Sequence, residues 1–245
     1  MLLAINIGNT NITVGIFNEE NLEISFKIPI KSTNPGNILR EKLKDFSGID
    51  GVVIGSVVPD VTPLMIEVLE KLSLSSPLVV DSKMNLPIKL NVDYPEKVGV
   101  DLLSNMVAAH MLYNNDSIIL DSGTATTFCS LSKEGIFSGA VIAIGLDAMS
   151  NSLSQNGAQL PDISIKKHDG AVGKNTIEAM QLGIYWGYVD LVQGMINRLK
   201  SKVGEVLIIG TGGNLELVAK DLKGIGIIDS DLTIEGLRII YKLNT

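Results

Sequence analysis

Two short segments of this 245-residue chain carry the same chemistry at the end of an apolar run. Leu2 to Ile7 leads into Gly8-Asn9-Thr10-Asn11, and Ser117 to Leu120 leads into Asp121-Ser122-Gly123-Thr124. In each, a polar residue (Asn6 or Asp121) stands near the end of the run, a glycine follows two residues later, and a hydroxyl or amide lies beyond it. Glycine lets the backbone come close to a ligand, free N–H groups in such a turn point at anionic oxygens, and a threonine hydroxyl adds a donor. That is chemistry for holding phosphate. One such turn does no more than join two strands in most proteins. The same turn at matching places of a repeated pattern favours a polyphosphate gripped from both sides.

A third glycine cluster, Gly210-Thr211-Gly212-Gly213-Asn214, follows the apolar run Val206 to Ile209. Small residues there let a flat purine or its ribose pack on the backbone at a strand end, and they serve equally as a tight strand-to-helix turn. The better-known glycine motifs fail. A dinucleotide fingerprint from Gly210 needs glycine where Leu215 stands, and a phosphate loop ending at Gly173-Lys174 needs glycine at His168 and Ser or Thr at Asn175. His110 sits in an apolar helical stretch and His168 in a polar one, neither with a carboxylate partner in its pattern. Cys129 alternates within a strand as a small core residue. Tyr185, Trp186 and Tyr188 fall on one long helix, where packing accounts for them.

The elements that must position these residues can be read from periodicity. Leu2 to Ile7 and Ile12 to Phe17 form a hairpin, with a third strand near Leu22 to Lys27. A helix over Ile38 to Phe46 follows, then a buried strand Gly51 to Ser56 and a helix after Pro59 carrying Leu64, Ile66, Val68 and Leu69. A short strand Leu78 to Asp81 and a loop Asn85 to Pro95 lead to a helix around Leu102 to Leu112. The second half starts again with Ser117 to Leu120, Thr127 to Leu131 and Ile136 to Ile142. A long helix from about Asn175 to Leu199, the strand Val206 to Gly210, and helices near Leu215 and over Thr233 to Tyr241 close it. The fold class is α/β, and the duplicated βββαβα outline divides the chain into two similar lobes, 1–115 and 116–245.

Composition excludes several classes. Hydrophobic residues make up 45% and charged residues 19%, as in an α/β protein with buried strands rather than a disordered chain. A net charge of -7 with scattered Lys and Arg offers no basic stripe, so nucleic acid is not an expected partner. The single cysteine rules out an internal disulfide framework and suits a reducing compartment. The N-terminus lacks a basic leader, and no run of about 18 apolar residues occurs, so the expectation is a cytoplasmic protein with no membrane association.

Taken together, Asn6-Ile7-Gly8-Asn9-Thr10-Asn11, Tyr94-Pro95, Gly99-Val100-Asp101, Asp121-Ser122-Gly123-Thr124-Ala125-Thr126-Thr127, Gly173-Lys174-Asn175-Thr176, Thr211-Gly212-Gly213 and Leu232-Thr233-Ile234-Glu235-Gly236-Leu237 resemble the type III pantothenate kinase family in order and spacing along nearly the whole chain. The resemblance implies two ribonuclease H-like (actin-like) lobes with a central cleft, ATP-dependent phosphorylation of pantothenate to 4′-phosphopantothenate at the start of coenzyme A synthesis, and a homodimer. It puts ATP on Asn6, Ile7, Gly8, Asn9, Thr10, Asn11, Ile12, Thr13 and Thr124. It puts pantothenate on Tyr94, Gly99, Val100, Asp101, Leu102 and Thr176. It implies a monovalent cation, K+ or NH4+, at Asp121, and Mg2+ or another divalent cation with the ATP. Asp101 maps onto the catalytic base, a role a carboxylate fills by taking the proton of a primary hydroxyl as it attacks the γ-phosphoryl group. An aspartate just before an apolar helix is also an ordinary N-cap, and the two roles are compatible. Three positions depart from the family's pattern: Asn6 stands for aspartate, Leu102 for arginine and Ile144 for proline. The first two open an alternative, a homologue that binds ligand without turning it over.

Overall fold

The computed structural model describes residues 1–72 and 74–245. The chain opens with β1 (Leu2–Ile7), β2 (Asn11–Asn18), β3 (Asn21–Pro29), α1 (Pro35–Leu43), β4 (Gly51–Ser56), α2 (Thr62–Lys71), β5 (Leu78–Val79), β6 (Lys89–Leu90) and α3 (Val100–Tyr113). It continues with β7 (Ser117–Ser122), β8 (Ala125–Leu131), β9 (Ile136–Ile144), α4 (Leu146–Asn156), α5 (Thr176–Val203), β10 (Leu207–Thr211), α6 (Leu215–Val218), β11 (Ile227–Ile228) and α7 (Leu232–Asn244). Contacts group the residues into two compact units. One holds Met1–Asn114, Glu134–Phe137 and Asp231–Thr245; the other holds Asn115–Lys133 and Ser138–Ser230.

In the first unit the sheet runs β3-β2-β1-β4-β5. β1 pairs with β2 antiparallel and with β4 parallel. Leu39 of α1 and Met65 and Leu69 of α2 cluster with Leu3, Ile5 and Ile7, and α7 also packs against the strand, so Leu3, Ala4, Ile5 and Ile7 are fully inaccessible; burial by helices likewise accounts for the near-continuous apolar run of β4. The division at 116–245 puts the last helix with the second half, whereas α7 packs on α3 and β1 in the first unit. The reason is local fit. Leu232, Ile234, Leu237 and Ile240 are buried along one side of α7, and the Arg238 guanidinium lies 5.6 Å over the Phe17 ring. Any Cβ on Gly236 would run into the Ser104 carbonyl, so glycine is what allows α7 to close on α3.

The second unit repeats the lattice. β7 pairs with β8 antiparallel and with β10 parallel, in a sheet ordered β11-β10-β7-β8-β9, and α5 buries Met180, Ile184, Tyr185, Tyr188, Val189, Val192 and Ile196 in its core. The packing expected of Tyr185 and Tyr188 is observed, as is a buried Cys129. α4 has no counterpart in the periodicity reading. Its sequence, LDAMSNSLSQN, is rich in Ser and Asn, which favour turns, and only Leu146 among its apolar residues is fully buried. In α2 the buried residues are Met65 and Leu69, and Leu64, one of the apolar residues that marked the helix, is 61% exposed. No helix among the described residues is long and apolar enough to cross a membrane.

Candidate active site

In the first unit the hairpin turn of residues 8–10 closes with the Gly8 N–H donating to the Asn11 carbonyl at 3.0 Å. Asn6 pairs across to Thr13 on β2 and to Gly55 on β4, so it stands at the carboxyl end of a parallel strand pair. That end is where open α/β sheets present ligands. Just past β4, the Val57 N–H donates to the Ile7 carbonyl at 3.1 Å, and a Cβ on Gly55 would lie 3.0 Å from Val100. The first turn of α3 therefore rests on the same strand ends as Asn6 and the hairpin turn.

Asp101 is the second residue of α3, behind Gly99 at the N-cap and Val100, so the N-cap role weighed for it falls to Gly99. Its carboxylate accepts the Leu102 N–H at 2.8 Å. Burial pushes the Asp101 carboxyl above the usual aspartate range, with the Leu102 and Asp101 backbone N–H groups working the other way. A Cβ on Gly99 would sit 2.5 Å from Asp101 Oδ1. Glycine leaves the carboxylate the space it occupies. Leu102 follows, half-buried, with no charge to offer. Tyr94 is exposed ahead of the short turn Pro95–Lys97, with the Lys97 ammonium 4.4 Å over its ring.

In the second unit the matching turn closes with the Gly123 N–H donating to the Ala125 carbonyl at 3.1 Å. Asp121 pairs across to Thr127 on β8 and to Thr211 on β10. Directly opposed residues share a face of the sheet, and the buried Thr127 Oγ1 has no hydrogen-bond partner among the described residues. Gly212, at φ 96°, passes close to Ser122 and Asp121 in a backbone conformation that favours glycine. The Asn214 N–H donates to the Ser122 carbonyl at 3.0 Å, and its side-chain amide donates to Asp147 at 2.9 Å. Thr176 is the first residue of α5. The Asn175 side chain caps that helix by accepting the Glu178 N–H at 3.0 Å, and the Lys174 N–H, donating to Glu178 at 2.9 Å, holds the Glu178 carboxyl below its usual range. Beside this end lies a cavity of about 660 Å³ lined by residues 169–173 with Ala179, Leu182, Gly183 and Trp186.

The family profile described as Type III pantothenate kinase matches residues 2–198. The chain belongs to that family. A type III pantothenate kinase of Exiguobacterium sp. is 37% identical over 252 residues, spanning 100% of this chain and 99% of the relative. Among solved structures, the activator of the 2-hydroxyisocaproyl-CoA dehydratase from Clostridium difficile with bound ADPNP superposes with a TM-score of 0.56 at 13% identity, over 99% of this chain and 93% of that one. An inorganic polyphosphate/ATP-glucomannokinase from Arthrobacter sp. strain KM gives a TM-score of 0.53 at 16% identity, over 100% and 99%. These two likenesses bear on the fold, the ribonuclease H-like α/β class expected of the pantothenate kinase family.

The first unit thus brings Asn6 to Thr13 and Gly99 to Leu102 onto one set of strand ends, and the second unit carries Asp121, Thr124 and Thr176. Sequence reasoning passed over Ser122, Thr126, Gly145 and Tyr188. Ser122 and Thr126 flank the second turn, and their buried hydroxyls meet Tyr188 at 2.6 and 2.7 Å. The available signal was Tyr188 itself, a hydroxyl on a helical face buried mainly by apolar residues.

Proposed function

We propose that this chain transfers the γ-phosphoryl group of ATP to the primary hydroxyl of pantothenate, giving 4′-phosphopantothenate at the entry to coenzyme A synthesis. The observation that carries this reading is the full-length match to type III pantothenate kinases. Asp101 accepts the hydroxyl proton while the oxygen attacks phosphorus and ADP departs. A raised carboxyl pKa suits that task, since a more basic carboxylate takes a proton more readily than an ordinary aspartate. The segment Asn6 to Thr13, through the N–H groups of its turn, and Thr124 hold the phosphates. Tyr94, Gly99 to Leu102 and Thr176 hold pantothenate. Leu102 cannot pair with the pantothenate carboxylate, and Lys97, whose ammonium lies over Tyr94, supplies a cation in the same segment.

The donor set fits the two cations differently. Among the described residues no three His, Cys, Asp or Glu cluster to hold a metal ion. A divalent cation suits this chain only when most of its ligands are phosphate oxygens and water, as is usual for Mg2+, with the Asn6 amide as a neutral contributor. When bound, it offsets charge on the transferring group. Asp121, with the unpartnered Thr127 hydroxyl on the same face, fits a singly charged cation such as K+ or NH4+.

The proposed enzyme is a cytoplasmic homodimer. Supporting a second copy is an outward stripe on α5, Ala179-Gly183-Gly187-Gly194, where a Cβ on Gly183 or Gly194 meets nothing within 4 Å among the described residues. A coupled assay with Mg2+ and K+ or NH4+ tests the activity. Pantothenate-dependent ADP release is expected, and its absence at high enzyme concentration rejects the reading.

A further inference from the structure

Three buried hydroxyls in the second unit form a chain whose direction the geometry fixes. Ser122 Oγ lies 2.6 Å from the Tyr188 hydroxyl, which lies 2.7 Å from Thr126 Oγ1, and Thr126 Oγ1 donates to the Ile144 carbonyl at 3.1 Å. Each hydroxyl has one hydrogen to give, and a carbonyl oxygen only accepts. The Thr126 hydrogen is committed to Ile144. Tyr188 therefore donates to Thr126, and Ser122 donates to Tyr188. All three side chains are inaccessible to solvent, so water does not compete for these bonds. Burial also pushes the Tyr188 phenol up, outweighing the Ser122 and Thr126 bonds, so it remains a neutral donor.

This chain encircles one turn. Ser122 ends β7 and immediately precedes Gly123-Thr124, and Thr126 lies in β8 just after it. Ile144 ends β9, and any Cβ on the next residue, Gly145, would run into the carbonyl oxygens of Gly123 and Thr124. The Tyr188 hydroxyl thus joins both flanks of the turn and, through Thr126, the backbone that lies against it. Pinning the carbonyl side leaves the opposite side of the turn for a ligand.

We propose that Tyr188 is a positioning residue for the nucleotide phosphates, its hydroxyl holding the Ser122–Thr124 turn in the conformation that receives them. The inference rests on the reading of that turn as a phosphate holder. Four variants and ATP kinetics separate the two. Tyr188→Phe keeps the ring and removes the central hydroxyl; the KM for ATP rises about tenfold, the order of one lost buried hydrogen bond, while the KM for pantothenate stays put. Its melting temperature falls as well, because Ser122 is left with a buried donor and no acceptor. Adding Ser122→Ala removes that orphan, so melting temperature recovers while the ATP defect persists. Recovery of both in the double variant overturns the proposal, as does an unchanged KM for ATP in Tyr188→Phe. If Tyr188→Phe fails to fold, Ser122→Ala alone cuts the first link, and an unchanged KM for ATP there is equally fatal. Thr124→Ala tests the underlying reading. Unaltered ATP affinity in that variant removes phosphate from the turn, whereas weakened affinity there with an intact Tyr188→Phe sinks the positioning role alone.

Discussion

Replacing Gly99 by alanine perturbs the proposed base through one atom. The Gly99 backbone, at φ -61° and ψ 142°, suits any L-residue, so the substitution costs nothing in backbone strain. Its Cβ would lie 2.5 Å from Asp101 Oδ1, whereas ordinary contact begins at 3.4 Å, so the oxygen must withdraw by about 0.9 Å. The other atoms near that Cβ are 3.7 Å or more away, and a carboxylate at the end of a side chain turns aside cheaply. Fold stability should therefore change by less than about 1 kcal/mol, the smaller entropy of the unfolded chain offsetting a poorer N-cap. Catalysis should suffer far more. A misplacement of about 1 Å in a reacting group costs roughly a hundredfold, or about 2.7 kcal/mol of barrier. The checks are ADP release at saturating substrates and thermal denaturation. A variant that melts like the parent and keeps kcat within about twofold would refute Asp101 as the base.

Asp101→Asn removes the proposed base and should lower kcat by roughly a thousandfold. Because the folded pKa of Asp101 is raised, its contribution favours the fold below the ordinary aspartate range and is lost as pH rises through the folded value; at neutral pH the buried charge is a burden. The variant should melt at or above the parent temperature at pH 7, with no such gain below the ordinary aspartate range, as calorimetry at both pH values will show. Lys97→Ala should raise the KM for pantothenate by about tenfold and spare that for ATP, and an analogue with an amide in place of the carboxylate should erase the difference. Asn6→Asp combined with Leu102→Arg returns both departures to the family pattern. If the parent chain is a working kinase, it should turn over within about tenfold of this double variant; a far faster variant favours ligand binding without turnover.

The strand lattice was legible because burial writes it directly into residue type. The all-apolar core of β1 and the Gly51–Ser56 run of β4 read as strands buried on both faces, and the turn chemistry at Gly8 located the hairpin. What stayed hidden depends on partners. Nothing in the pattern of α7 says that it will pack on α3, since an amphipathic helix fits any apolar sheet face until a residue such as Gly236 meets its neighbour. The role of Tyr188 is hidden for a related reason, because the direction of a hydroxyl chain exists only once a carbonyl such as that of Ile144 fixes its far end.

The sharpest case is the alignment of Asn6 with Asp121. The structure gives both residues the same lattice position, each with threonine opposite on the following strand, Thr13 or Thr127. Their parallel neighbours differ, Gly55 for Asn6 and Thr211 for Asp121. Gly55 leaves a gap that Val100 and Leu237 fill, which seats α3 and with it Asp101. Thr211 leads instead to Gly212, over which the Asp121 carboxylate leans. One repeated motif thus serves two ends: where the neighbouring strand is bare, a helix carrying the proposed base docks; where it bears a hydroxyl, a carboxylate and oxygen donors gather. The repeat was visible in the sequence, but the pairing of strands distant along the chain makes its two copies chemically different.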